Sequence, residues 1–114
     1  MNCAIEGEWT EDAEDYSEPF TWSARWESDG DGWVVSGPYR DSLGLVELSG
    51  YCDKSQCELL QSYHEGDSAG QTFQWFFEYQ MENAAGQSEI HLTGTWGEEG
   101  EPHGEVQGTG LCSK

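Results

Sequence analysis

Between Gln71 and Glu82, the large side chains Phe73, Trp75, Phe77, Tyr79 and Met81 occupy every second position. A period of two places all five on one face of an extended strand, and a helix cannot reproduce that pattern. Phe76 interrupts the opposite face, which implies partial cover on that side too. A strand with this much apolar surface has to be central, so the remaining chain must supply neighbours on both of its edges.

Alternation of the same kind recurs along the chain. Ala4–Thr10 sets Ile5, Gly7 and Trp9 against Glu6 and Glu8, predicting a first strand with one wet face. Glu11–Glu18 carries no apolar stripe, so a solvated acidic loop ending at Pro19 is expected, with a single helical turn as the alternative. Phe20, Trp22, Ala24 and Trp26 alternate with polar residues in a second strand. The two Asp-Gly pairs of Ser28–Gly32 suit a tight hairpin turn. Their spacing also resembles the start of a calcium loop, but Pro38 stands at the closing position if Glu27 is the first ligand, which favours the turn. Further strands are predicted at Trp33–Gly37, Leu45–Cys52, Gln56–His64, Ser88–Trp96 and His103–Leu111, with short polar turns between them.

Eight short antiparallel strands in a single domain of 114 residues point to an up-and-down β-barrel, because closure removes the unpaired edges of an open sheet. A two-sheet sandwich is the alternative. In a closed meander the first and last strands are neighbours, so Cys3 can meet Cys112, while Cys52 and Cys57 flank one hairpin. Two disulfides are therefore expected. Zinc is the competing reading, but Cys52-x4-Cys57 has no matching second pair and no histidine at a suitable spacing.

Charge narrows the function. With 23 acidic residues against 4 Lys plus Arg, the net charge of −19 repels nucleic-acid phosphates and anionic membranes alike. Neither a membrane-spanning run nor the basic and apolar regions of a signal peptide is visible, so the chain is expected either to be cytosolic or to have lost a leader. Paired cystines favour an oxidising compartment, secreted or periplasmic, and reduced cysteines would return it to the cytoplasm. Glu11, Asp12, Glu14 and Asp15 follow the first strand, and Glu98 and Glu99 follow the seventh. Those two strands run in the same direction in a meander, so both acidic turns should emerge at one end of the barrel.

Several segments together resemble the avidin-like barrels. Gly7-Glu8-Trp9 is similar to the Gly-x-Trp that opens that family and marks the wider calycin group. Ser36-Gly37-Pro38-Tyr39 with Leu48-Ser49-Gly50-Tyr51 resembles its third and fourth strands, and Phe73-Gln74-Trp75 with Leu92-Thr93-Gly94-Thr95-Trp96 resembles its sixth and seventh. The resemblance covers most of the chain in order. It implies an eight-stranded barrel with a ligand at one open end, with Trp96 and Tyr63 at wall positions and Tyr39 at a hydrogen-bonding position. It also implies that the polar ring for biotin is missing. Glu11 stands near the family's Asn, Asp41 replaces a hydroxyl, Gln71 and Phe73 stand at two hydroxyl positions, and Thr109 or Gly110 stands at a late Asp. Each unpaired buried group costs on the order of 1–3 kcal/mol, so biotin binding is not expected.

Catalysis has little support. The carboxylates cluster in acidic turns, the three histidines adjoin no nucleophile, and no serine sits in an elbow motif. A non-enzyme without cofactor is expected. One function is a barrel holding a small apolar or aromatic ligand against Tyr39, Tyr63, Trp75 and Trp96. Another is an interaction module, of inhibitor or immunity type, whose acidic turns engage a basic partner. A third is salt adaptation, in which acidity serves only solvation. The aromatic residues could equally fill the barrel, although Gly94, Gly104, Gly108 and Gly110 suggest either space or tight corners. Self-repulsion at this charge favours a monomer or dimer.

Overall fold

The computed structural model describes residues 1–13, 15–41, 44–66, 69–84, 87–98 and 101–113. Its strands are β1 (Asn2–Glu11), β2 (Tyr16–Asp29), β3 (Gly32–Asp41), β4 (Gly44–Cys52), β5 (Gln56–Tyr63), β6 (Thr72–Ala84), β7 (Gln87–Glu98) and β8 (Glu101–Ser113). Each pairs antiparallel with the next, and β8 pairs with β1, so the meander closes into the expected barrel with no edge strand.

The alternating side chains of every strand form one core. Ile5, Trp22, Trp26, Val35, Val46, Leu48, Leu59, Trp75, Phe77, Ile90, Leu92 and Val106 are all buried. β6 supplies Trp75, Phe77 and Tyr79 to it, between β5 and β7. Both disulfides form as expected. Cys3 lies opposite Cys112 across the β1–β8 seam and Cys52 lies opposite Cys57 across the β4–β5 hairpin, with Cα atoms 4.0 Å apart in each pair. No thiolate of the four remains for zinc.

Turn chemistry fixes the hairpins. Gly30 takes φ 61° while Asp31 stays at negative φ, which is the type II′ arrangement whose twist matches that of the flanking strands. At the β4–β5 turn, Asp53 Oδ1 accepts from the backbone N–H groups of Ser55 and Gln56, both at 2.8 Å. Those two donors hold its carboxyl below the ordinary aspartate range.

One local expectation needs correction. The turn in Glu11–Glu18 is shorter than the expected loop: Asp12, Ala13 and Asp15 turn, but Glu11 and Tyr16–Glu18 are strand, with Glu11 paired to Tyr16 and Thr10 to Ser17. The rings of Trp9 and Tyr16 meet at 5.7 Å and give this stretch the apolar contact that its acidic composition conceals. Pro19 is tolerated inside β2 because β2 pairs with β3 only over Arg25–Asp29, so the first half of the strand is bonded on one side. Phe76 faces outward and is 44% exposed, so the cover on that side of β6 is partial.

The hairpin turns after β1 and β7 do emerge at one end, where the Asp12 N–H donates to the His103 carbonyl at 3.0 Å. Glu11, Asp12, Asp15 and Glu98 lie there, whereas the expected partner residues Glu14 and Glu99 are outside the described residues.

Candidate functional site

The end that carries these acidic turns is also where β3, β5, β6 and β7 deliver Tyr39, Tyr63, Trp75 and Trp96. Tyr39, Tyr63 and Trp75 are buried, and Trp96 is half-buried. Trp75 and Trp96 are direct cross-strand partners. The four are therefore brought together, but each ring is packed against the protein's own side chains.

Trp75 meets Phe20 edge-on at 5.1 Å and Trp22 at 6.3 Å. Trp96 touches Trp9 at 5.0 Å and Phe73 at 5.9 Å, and stacks on His103 at 5.5 Å. Its indole N–H donates to the Thr10 carbonyl at 2.7 Å. Tyr63 packs edge-on against Phe73. The inward glycines make room for these rings. A Cβ on Gly108 would lie 3.2 Å from Phe20 Cζ, and one on Gly104 would lie 3.0 Å from Trp96 Nε1. At both positions a Cβ would first meet the β1 backbone, at the Thr10 carbonyl for Gly104 and the Glu6 carbonyl for Gly108, so these glycines let β8 lie close to β1 while Trp96 and Phe20 occupy the space beside them.

One polar residue sits inside this aromatic set. Gln61, 7% exposed, donates from Nε2 to the Tyr39 hydroxyl at 2.6 Å and accepts at Oε1 from Trp75 Nε1 at 3.0 Å. The indole N–H can only donate, so it dictates which way the amide points. Tyr39, the candidate polar contact for a ligand, thereby receives a hydrogen bond from inside the chain. Gln61 was not among the expected site residues, yet a signal existed: Cys57, Leu59, Gln61 and Tyr63 share the inward register of β5, and Gln61 is the only amide among them.

The opposite end, near the termini, is more open. A depression of about 1480 Å³ borders Met1, Trp33, Tyr79, Met81, Asn83 and Ser88. It also reaches the exposed Gln80 and His91 on the outside of the β6–β7 hairpin, so it wraps a projecting ribbon and is not a single chamber. The Tyr79 hydroxyl donates to the Asp53 carbonyl at 2.6 Å, and burial followed by the nearby Asp53 charge pushes its pKa up.

On the outer wall, Val34, Tyr51, Leu60 and Phe76 project from β3, β4, β5 and β6. A groove of about 560 Å³ beside Tyr51 and Phe76 is bordered by the carboxylates of Asp53, Glu58 and Glu78.

No protein-family model matches the chain, and no curated protein matches it either. Among solved structures, the crystal structure of the ywiB protein from Bacillus subtilis aligns with 99% of this chain and 91% of its own, at a TM-score of 0.57 and 8% identity. The chain is similar to ywiB in fold.

Proposed function

We propose that this chain is a non-catalytic, avidin-like barrel of the wider calycin group that resides in an oxidising compartment, secreted or periplasmic, and engages a basic protein partner with its exterior. The observation that carries this reading is the occupied interior: Gln61 holds the polar groups of Tyr39 and Trp75, and Trp26 at the core is 0% exposed. A barrel that fills itself leaves its surface for recognition, and a net charge of −19 selects partners of opposite sign. The avidin-like assignment draws support from the closed meander and from the opening Gly7-Glu8-Trp9. The compartment draws support from the two disulfides.

The test is equilibrium titration of the oxidised protein against peptides of matched length and opposite charge. Saturable binding of basic peptides that weakens steeply with salt is expected. Equal indifference to basic and acidic peptides would refute the reading.

A second reading, a small apolar or aromatic ligand at a barrel mouth, has one observation in its favour. Trp33, Tyr79 and Met81 border the open depression at the terminal end, and mouths of barrels are common pocket sites. In that case Trp33→Ala should abolish a ligand-dependent change in tryptophan fluorescence, whereas the Tyr39, Tyr63, Trp75 and Trp96 mouth would need its own rings displaced.

A further inference from the structure

Six large apolar side chains are exposed among the described residues, and four of them, Val34, Tyr51, Leu60 and Phe76, lie on the adjacent strands β3–β6. Their register is continuous. Val34 pairs with Tyr51, Tyr51 with Glu58, Glu58 with Phe76 and Phe76 with Thr95, which makes one cross-strand row on the outer face. Leu60 lies two residues along β5 from Glu58, diagonal to Phe76. Glu58 therefore stands between two aromatic side chains whose strands are about 10 Å apart, twice the spacing of paired strands.

That spacing suits a planar cation. A guanidinium can lie against one ring, face the second and hydrogen-bond the carboxylate below, a combination better matched by arginine than by lysine. Among the described residues no Lys, Arg or His borders the groove beside this row, while Asp53 and Glu78 add two more carboxylates. Beyond Tyr51 a second depression is bordered by Asp29, Asp31 and Asp53, where Lys54 is the only cation among the described residues. Its amino group is 3.9 Å from Asp31 and largely exposed.

We propose that the outer face of β3–β6 is a docking surface for an arginine-bearing segment of a basic protein, with one guanidinium seated between Tyr51 and Phe76 on Glu58. This rests on the reading of the chain as a partner-binding barrel and names the face. The acidic turns at the end near Asp12 then steer the approach, whereas the aromatic row holds the docked segment.

The experiment is fluorescence anisotropy of a short labelled peptide alternating arginine with serine, titrated with the oxidised protein. Tyr51→Ser and Phe76→Ser leave the net charge unchanged, and each should weaken binding about 2- to 5-fold. Glu58→Gln should weaken it about tenfold. Glu6→Gln with Glu8→Gln, on β1 across the barrel, should change it about twofold or less, as a screened long-range charge does. A lysine counterpart of the peptide should bind more weakly than the arginine form. All these positions are solvent-facing, so unchanged melting temperatures and near-ultraviolet circular dichroism will identify correctly folded variants.

If Tyr51→Ser/Phe76→Ser binds like the wild type, the docking surface is overturned. If Glu11→Gln/Asp12→Asn/Asp15→Asn instead abolishes the affinity, the acidic end is the docking site and only the partner reading stands. No binding of the peptide by the wild type would overturn both. A sedimenting dimer that Phe76→Ser dissociates would assign the face to a second copy of this chain and overturn the basic occupant.

Discussion

Gln61 links a buried tyrosine to a buried tryptophan, so the filled-interior argument can be tested there by a double-mutant cycle. Replacing Gln61 with Leu nearly preserves volume but removes the donor to Tyr39 at 2.6 Å and the acceptor of Trp75 at 3.0 Å. The Trp75 side chain is 4% exposed, so its N–H would lose its acceptor away from bulk water. An orphaned donor costs about 1–3 kcal/mol and the lost bond to Tyr39 about 1 kcal/mol, for a total of about 2–4 kcal/mol. Trp75→Phe removes the donor and leaves Gln61 Oε1 unsatisfied, with an additional cavity cost. The double variant has neither orphan. It should be less destabilised than the sum of the singles by about 1–2 kcal/mol, read from urea unfolding midpoints at constant slope. Additivity within about 0.5 kcal/mol would refute the reasoning, because it would mean that the amide is not bonded to the indole or that water already reaches the site.

Other consequences follow from the frame and the charge. Cys3→Ser/Cys112→Ser opens a cross-link of 109 residues and should cost about 3–5 kcal/mol, whereas Cys52→Ser/Cys57→Ser opens one of 5 and should cost about 2 kcal/mol, as measured by chemical unfolding. The Asp53 carboxyl is held low by two backbone donors, so its contribution is present above the unfolded value of 3.8 and is lost as pH falls through the lower folded value. Wild type should therefore exceed Asp53→Asn in melting temperature near neutral pH, and the gap should close below 3.8. Neutralising Glu11, Asp12 and Asp15 together should slow association with a basic peptide and flatten its salt dependence, leave dissociation unchanged and keep or slightly raise the melting temperature, as followed by stopped-flow anisotropy.

The barrel was legible because its evidence is periodic. Five inward side chains on β6, the Trp22–Ala24–Trp26 run on β2 and the Asp-Gly turn at Gly30 each point to the same local state, and the cysteines at positions 3 and 112 agree with closure. The acidic stretch misled because pairing between Glu11 and Tyr16 is decided by a neighbouring strand and by the Trp9–Tyr16 contact, neither of which alternation within Glu11–Glu18 reveals. The site was half legible. Period two shows that Trp75 and Trp96 point inward, but whether an inward aromatic lines a space or fills one depends on what faces it. Here Phe20 on β2 lies over Gly108 on β8, strands far apart in sequence, and Trp96 lies over its own cross-strand partner Gly104. Gln61 and Phe76 were each visible as breaks in an alternation. Their meaning required register: one break falls between Tyr39 and Trp75, and the other falls beside Glu58 on the outside.

The central claim is that this barrel is solid inside and binds with its outer wall, and a single nitrogen-15 NMR titration separates the two regions. On addition of the arginine-serine peptide to the oxidised protein, the backbone amides of Tyr51, Glu58 and Phe76 should shift progressively and saturate. The indole N–H signals of the buried Trp22, Trp26 and Trp75 should stay in place. Movement of those indole signals with a silent β3–β6 face would contradict the account and return recognition to the barrel interior.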